Sequence, residues 1–333
     1  MTDQIPWLER TIEEAVEPEL PICDPHHHLW DLPDSRYLID EFMDDISGGH
    51  RVTETVFVEC LQMYRTDGPQ ELRPVGETEF VERITSAGEN RAGDLRVAAG
   101  IVGFADLTSG AAVQPVIEAH LNESDRFRGL RYASAWDASD RIHNTYTNPP
   151  KDLLRSQEFR AGFACLSKFG LSFDAWVYHP QIPELADLAR AFPEITIVLD
   201  HIGGPLGIGP YAGKRDEVFT LWRRNITELA QCENVVVKLG GLTMTMSGFG
   251  WHRRSEPPGS IELAQAMRPY YQTCIECFGA ERCMFESNFP IDRTACSYTI
   301  QWNAFKRLTQ AYSPTERSAL FRDTAVRVYR LDR

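Results

Sequence analysis

The residues Asp24-Pro25-His26-His27-His28-Leu29-Trp30 set three imidazoles behind an acid near the start of the chain. In an extended segment side chains two apart share a face, so His26 and His28 converge on one point while His27 faces away. Neutral imidazole is the commonest protein ligand for zinc and related ions, and two on one strand lose little entropy in binding one. A buried hydrogen-bonded pair has the same spacing. What the pair does therefore depends on what other elements bring to it.

Those elements are legible as apolar, β-branched, strand-like runs: Pro21 to His26, Glu54 to Cys60, Leu95 to Phe104, Phe127 to Tyr132, Leu171 to Tyr178, Ile195 to Asp200, Val235 to Leu239 and Cys283 to Glu286. Helical periodicity fills most of the intervals, at Glu77 to Ala87, Ala112 to Asn122, Leu153 to Phe169, Pro183 to Phe192, Glu217 to Cys232 and Ile261 to Phe278. Two more such segments, Tyr298 to Ala311 and Pro314 to Tyr329, follow the last strand. Short apolar strands alternating with helices specify a parallel sheet covered on both faces. Eight units in about 300 residues fit a (β/α)8 TIM barrel, because an open sheet would carry a Gly-rich phosphate turn after its first strand.

In such a barrel the chemistry gathers at the C-terminal strand ends. There stand His26 and His28 after the first strand, Glu59, Gln62, Tyr64 and Arg65 after the second, and Arg128, Arg131 and Tyr132 at the fourth. The fifth ends at His179, the sixth at Asp200 and His201, the seventh carries Lys238, and the eighth ends in Glu286, Ser287, Asn288 and Asp292. Four histidines at three strand ends favour one site over packing.

Composition narrows the class of partner. With 333 residues, 43% hydrophobic and no break in composition, the chain reads as one domain over 1–333, its first 20 residues an acidic amphipathic extension. A net charge of −14 excludes the basic surface that nucleic acid requires, while leaving room for an anionic small molecule held by a few local arginines. No run of about 18 apolar residues and no signal-peptide pattern occurs, so a soluble, cytoplasmic protein without a membrane partner is expected. Eight cysteines are scattered through apolar runs, as buried free thiols would be; Cys274-x-x-Cys277 has no second pair at zinc-site spacing.

Five segments together resemble the amidohydrolase superfamily, and within it the lactonase-like branch: the Asp24 to Trp30 stretch, Phe-Arg-Gly-Leu-Arg at 127–131, Val-Leu-Asp-His-Ile-Gly-Gly-Pro at 198–205, Lys-Leu-Gly-Gly-Leu at 238–242 and Met-Phe-Glu-Ser-Asn-Phe-Pro at 284–290. The resemblance implies a distorted (β/α)8 barrel over nearly the whole chain, with the histidines and a strand-eight acid around a metal or, in some members, a metal-free hydrolytic site. It makes His26 and His28 the first-strand pair, His201 the histidine after strand six and His179 a ligand after strand five. At strand eight the common Gly-Ser-Asp-Trp-Pro is replaced by Glu-Ser-Asn-Phe-Pro, with Asn288 where an Asp would ligate metal and accept the proton. An amide cannot act as a base, so Glu286, Asp292 or His201 takes that role, or the chemistry differs.

The expected activity is opening of a lactone or related cyclic ester by water. A divalent metal, zinc foremost and manganese second, on His26, His28 and His179 would polarise the carbonyl and acidify a bound water. Without metal, the histidines and Lys238 would donate to the carbonyl while His201 or an acid activates water. Arg131, with Arg128 three residues before it, is expected either to grip a carboxylate or sulfonate of the substrate or to form a salt bridge to a nearby acid. Tyr64 and Trp176 are expected to line the pocket. His252 belongs to a Gly- and aromatic-rich loop, Met244 to Pro258, that would be a lid over the substrate or a contact in a homo-oligomer. A metal-dependent decarboxylase of the same superfamily and a barrel that only binds its ligand are the alternatives.

Overall fold

A computed structural model describes residues 6–86 and 95–332. Eight parallel strands follow one another round a single sheet: β1 (Ile22–His27), β2 (Val52–Val58), β3 (Arg96–Gly103), β4 (Phe127–Ala133), β5 (Ser172–Trp176), β6 (Ile197–Leu199), β7 (Val235–Leu239) and β8 (Cys283–Phe285). The seam between β1 and β8 is closed by loop backbone: Asn288 N–H donates to the His26 carbonyl at 2.9 Å and His28 N–H to the Phe289 carbonyl at 2.8 Å. Asp24 reinforces that seam, its carboxylate accepting from Ser287 N–H at 2.9 Å and from the Tyr298 hydroxyl at 3.1 Å. The expected (β/α)8 barrel is therefore the observed fold.

Ten α-helices among the described residues surround or cap the strands: α1 (Ile39–Ile46), α2 (Val75–Ser86), α3 (Gln114–Glu123), α4 (Gln157–Phe169), α5 (Ile182–Ala191), α6 (Arg215–Leu229), α7 (Ser260–Phe278), α8 (Tyr298–Leu308), α9 (Pro314–Ser318) and α10 (Thr324–Tyr329). The expected helix ending at Ala87 runs to Ser86, and Ala87 lies outside the described residues. Of the N-terminal extension, the described part carries one 3-10 turn, Trp7–Arg10. An antiparallel hairpin, Trp30–Leu32 with Ser35–Tyr37, and α1 fill the β1–β2 connection, where no element was expected. Among the described residues no helix is long and apolar enough to cross a membrane. All eight cysteines are free.

The barrel interior divides into two halves. One is apolar, filled by Val56, Val58, Val102, Val198, Val236 and Met284 from the strands and by Ala325, Val326, Val328, Tyr329 and Leu331 of the C-terminal segment. Each large apolar side chain there contributes about 1.5–3 kcal/mol on burial. Helix α10 thus forms a floor. Above it the inward positions turn polar.

Candidate active site

Strand alternation places His26 and His28 inward and His27 outward, as the spacing requires. His27 stacks on Phe42, ring centroids 4.3 Å apart, and its Nε2 meets Thr55 Oγ1 at 2.9 Å. His26 is fully buried, its ring 4.9 Å from that of His28 and 4.6 Å from that of His201. One carboxylate organises two of these rings. Glu286 Oε1 accepts from His201 Nδ1 at 2.6 Å and from the His201 backbone N–H at 3.1 Å, while Oε2 lies 2.8 Å from His26 Nδ1. Burial pushes the Glu286 carboxyl up, but the His201 and His26 partners outweigh it and bring it down to about 2.

His201 owes its position to strained backbone. It and Ile202 have φ of 53° and 51°, in the left-handed region, within the turn Asp200–Gly203 that replaces the end of the expected sixth strand. Gly241 makes room for the ring: φ there is +70° and a Cβ would lie 2.5 Å from His201 Cβ.

A second set of charges lies beneath. Lys238 Nζ is fully buried, 2.6 Å from Asp174 Oδ2, 3.1 Å from Asp200 Oδ1 and 3.2 Å from His26 Nδ1. Burial disfavours the ammonium, yet Asp174, Asp200 and Glu286 raise its pKa and keep it charged. Tyr329 of α10 donates to Asp174 Oδ2 at 2.7 Å, and burial pushes that carboxyl up to about 6 against the pull of Lys238.

At strand eight Asn288, with φ of 56°, donates from Nδ2 to Asp292 Oδ1 at 3.3 Å. Among the described residues Asp292 Oδ2 has no hydrogen-bond partner, and burial raises this carboxyl to about 7, opposed by His201 and aided by Glu286.

Several expected residues stand elsewhere or are otherwise engaged. Arg131 is buried, with Nε on Glu59 Oε1 at 2.7 Å and Nη1 facing His26 Nε2 at 3.4 Å; Tyr146 also donates to Glu59 Oε1. Its guanidinium is an internal brace for Glu59, the salt bridge expected as the alternative to a substrate-anion fork. Arg128 lies at the N-terminal end of β4, beside Arg96 and Arg330, because inward strand-end placement belongs to the residue three further on. That corrects its placement at the site. His28 Nδ1 bonds the Val58 carbonyl at 2.8 Å, which leaves Nε2 for the cluster. His179, in a 3-10 turn after β5, packs on Tyr211 at 5.0 Å, and burial holds its imidazole down at about 4. Trp176 meets the His201 ring edge-on at 4.7 Å. Tyr64 lines a neighbouring cavity with Tyr132 and Tyr146. His252 is exposed and accepts from Arg253 at 3.2 Å, and its loop is tied to the N-terminal segment through Trp7 Nε1 and the Arg254 carbonyl at 2.9 Å.

The strand-end reading did not select Asp174 or Tyr329. An acid inside the strand Ser-Phe-Asp-Ala-Trp, two before Trp176, was the available signal for the first. Nothing in the local pattern marks Tyr329, which comes from the far end of the chain.

Over the cluster opens a cavity of about 630 Å³ at the C-terminal face, lined by loops after β1, β4, β5, β6, β7 and β8. Its wall residue Trp30 stacks on His28 with centroids 6.2 Å apart, and its wall residue Tyr178 meets Trp176, which meets His201. The cavity wall thus touches the histidines, through Trp30 on one side and through Tyr178 and Trp176 on the other.

The donor set suits a divalent cation. Among the described residues, His26, Asp200 and His201 bring ligand atoms within 4.8 Å of one another. Among the described residues the buried Asp200 carboxylate meets Lys238 Nζ through Oδ1 at 3.1 Å and leaves Oδ2 without a hydrogen-bond partner. Three buried carboxylates, Asp174, Asp200 and Glu286, surround the one ammonium of Lys238. Of the expected ligands His26, His28 and His179, only His26 belongs to this group.

A parallel barrel with buried histidines and carboxylates at its C-terminal end is the plan of a barrel enzyme, and the comparisons assign its family. Residues 23–331 match the family described as Amidohydrolase, and the chain belongs to it. The uncharacterised protein y4mH of Sinorhizobium fredii is 33% identical, over 94% of this chain and 99% of that one. An L-fucono-1,5-lactonase of Burkholderia ambifaria is 27% identical, over 93% and 96%. The same fold, with a TM-score of 0.69 and 22% identity, occurs in an amidohydrolase from Burkholderia multivorans crystallised with zinc, covering 93% of this chain and 99% of that one.

Proposed function

We propose that the protein hydrolyses a lactone, with water attacking the ring carbonyl above the His26–His201–Glu286 cluster. The observation that carries this reading is that cluster, fixed by one carboxylate beneath a cavity of substrate size at the C-terminal face, in a chain 27% identical to an L-fucono-1,5-lactonase. His26, Asp200 and His201 are the residues that would hold a metal, and zinc, which a barrel of the same fold carries, is the ion we assign. Bound there, zinc supplies Lewis-acid polarisation of the carbonyl and acidifies water.

The chain's own groups do the rest. Glu286 orients both imidazoles, and Lys238 holds Asp200 in place while staying charged. Asp292 Oδ2 takes the proton of the attacking water, kept in register by the Asn288 amide on Oδ1. When the ring C–O bond breaks, the proton passes from Asp292 to the departing oxygen. The product is the hydroxy acid.

Two expectations follow here. Asp292 accepts a proton only when ionised, and its carboxyl is raised to about 7, so kcat/KM falls about tenfold per pH unit below that value. A pH–rate profile checks this; a flat profile across about pH 5 to 8 sinks Asp292 as the base. The second concerns the metal: elemental analysis of wild type should find zinc, and Asp200→Asn should lower its content at least about tenfold after dialysis against a weak chelator. Equal content in the two proteins removes Asp200 from the ligand set.

A further inference from the structure

We infer that the lactone this site takes carries an apolar body, an alkyl or aryl substituent, in place of the hydroxyl array of a sugar lactone. This rests on the lactone-hydrolysis reading above and adds the substrate class to it.

The lining of the cavity over the histidines is the observation. Leu8, Ile142, Ile208, Met244, Met246 and Ile291 reach it from five separate segments, the N-terminal turn and the loops after β4, β6, β7 and β8. Behind them Ile142, Trp176, Tyr178 and Leu206 form a buried apolar cluster on which Ile208, Met244 and Met246 pack. Of the charged and hydroxyl side chains in the lining, Ser35, Arg36, Thr245, Arg293 and Thr294 are solvent-exposed, while the buried Tyr37 and Tyr178 hydroxyls are already committed, donating to Asp45 Oδ2 at 2.8 Å and to the His143 carbonyl. The two arginines there are also engaged: Arg36 with Asp40 at 3.7 Å and Glu41 at 3.5 Å, Arg293 with Asp45 at 3.2 Å.

The wall therefore selects against hydroxyls. A polyol pressed on thioether and aliphatic walls gives up its water without gaining a hydrogen bond, whereas a hydrocarbon gains from the same burial. The apolar wall is also anchored. Trp7 Nε1 donates to the Arg254 carbonyl at 2.9 Å, Arg10 to that of Ser255 at 2.8 Å and Thr11 to that of Pro257 at 2.8 Å, which fixes Leu8 between them over the cavity.

The test is hydrolysis of δ-lactones bearing hydrogen, methyl, ethyl, propyl or butyl beside the ring oxygen, against L-fucono-1,5-lactone, followed by proton release. We expect kcat/KM to rise about fourfold per methylene. The sugar lactone should fall at least about tenfold below the butyl compound. The matching δ-lactams, which resist hydrolysis, are titrated in parallel by tryptophan fluorescence, with Trp30 in the wall as reporter. Their Kd should tighten along the same series, and Met246→Ser and Ile208→Ser should flatten it. A flat lactam series, or preference for the sugar lactone, overturns the inference. A rising lactam series with no lactone turnover supports the apolar cavity and overturns the hydrolysis reading instead.

Discussion

Glu286→Gln lowers kcat/KM by about a hundredfold to a thousandfold while the protein stays folded. A single carboxylate receives His201 Nδ1 at 2.6 Å and lies 2.8 Å from His26 Nδ1, so it sets the tautomer and the angle of both rings at once. Glutamine keeps the shape. Its amide, however, offers one acceptor oxygen where two are used, and its NH2 group turns a donor toward one imidazole. The negative charge that Glu286 keeps down to about pH 2 is lost as well. Steady-state kinetics on the best lactone, with circular dichroism as the control for folding, checks this. A folded variant within tenfold of wild type would mean that the two rings are held by other contacts.

The second large effect is on stability. Lys238→Met leaves Asp174 and Asp200 buried without their shared cation, and the unfolding free energy falls by about 3–5 kcal/mol at neutral pH. The deficit depends on pH with a definite sign. Asp174 is raised to about 6 in the folded protein by burial, above its unfolded value, so its neutral form is favoured by folding and the penalty of its charge is relieved as pH falls. Urea unfolding of the variant should therefore show a smaller deficit near about pH 5 than near about pH 8. The double variant Lys238→Met with Asp174→Asn recovers part of the loss, since it removes one of the stranded charges. An equal deficit at both pH values, with no recovery in the double variant, would show that Lys238 acts by packing alone.

The strand-end rule explains why much of the site is legible in the sequence. His26 and His28 share a face because strands have period two, and Glu286, Asn288 and Asp292 follow the last strand, where barrel chemistry collects. Three things escape it. Spacing gives the face of a residue but not its height along the barrel, so Arg128, on the same strand as Arg131, falls at the other end. Residue type does not reveal prior engagement: Arg131 reads equally as an anion fork or a salt bridge until Glu59 is found against it at 2.7 Å. Contacts between ends of the chain have no local signature, which hides Tyr329 on Asp174 and Leu8 in the cavity wall. Asp200 stands in view beside His201, yet its nearness to His26 and its unpaired Oδ2 emerge only from the fold.

Turnover of a lactone in 18O-labelled water, read by mass spectrometry of the product together with proton release, tests the central claim most directly. The account predicts one 18O in the new carboxylate and one proton released for each lactone opened, with both signals lost in Asp292→Asn. Carbon dioxide release from a carboxylated arene with no lactone consumed would contradict it in favour of a decarboxylase, and a folded, zinc-loaded protein that opens no lactone would contradict it outright.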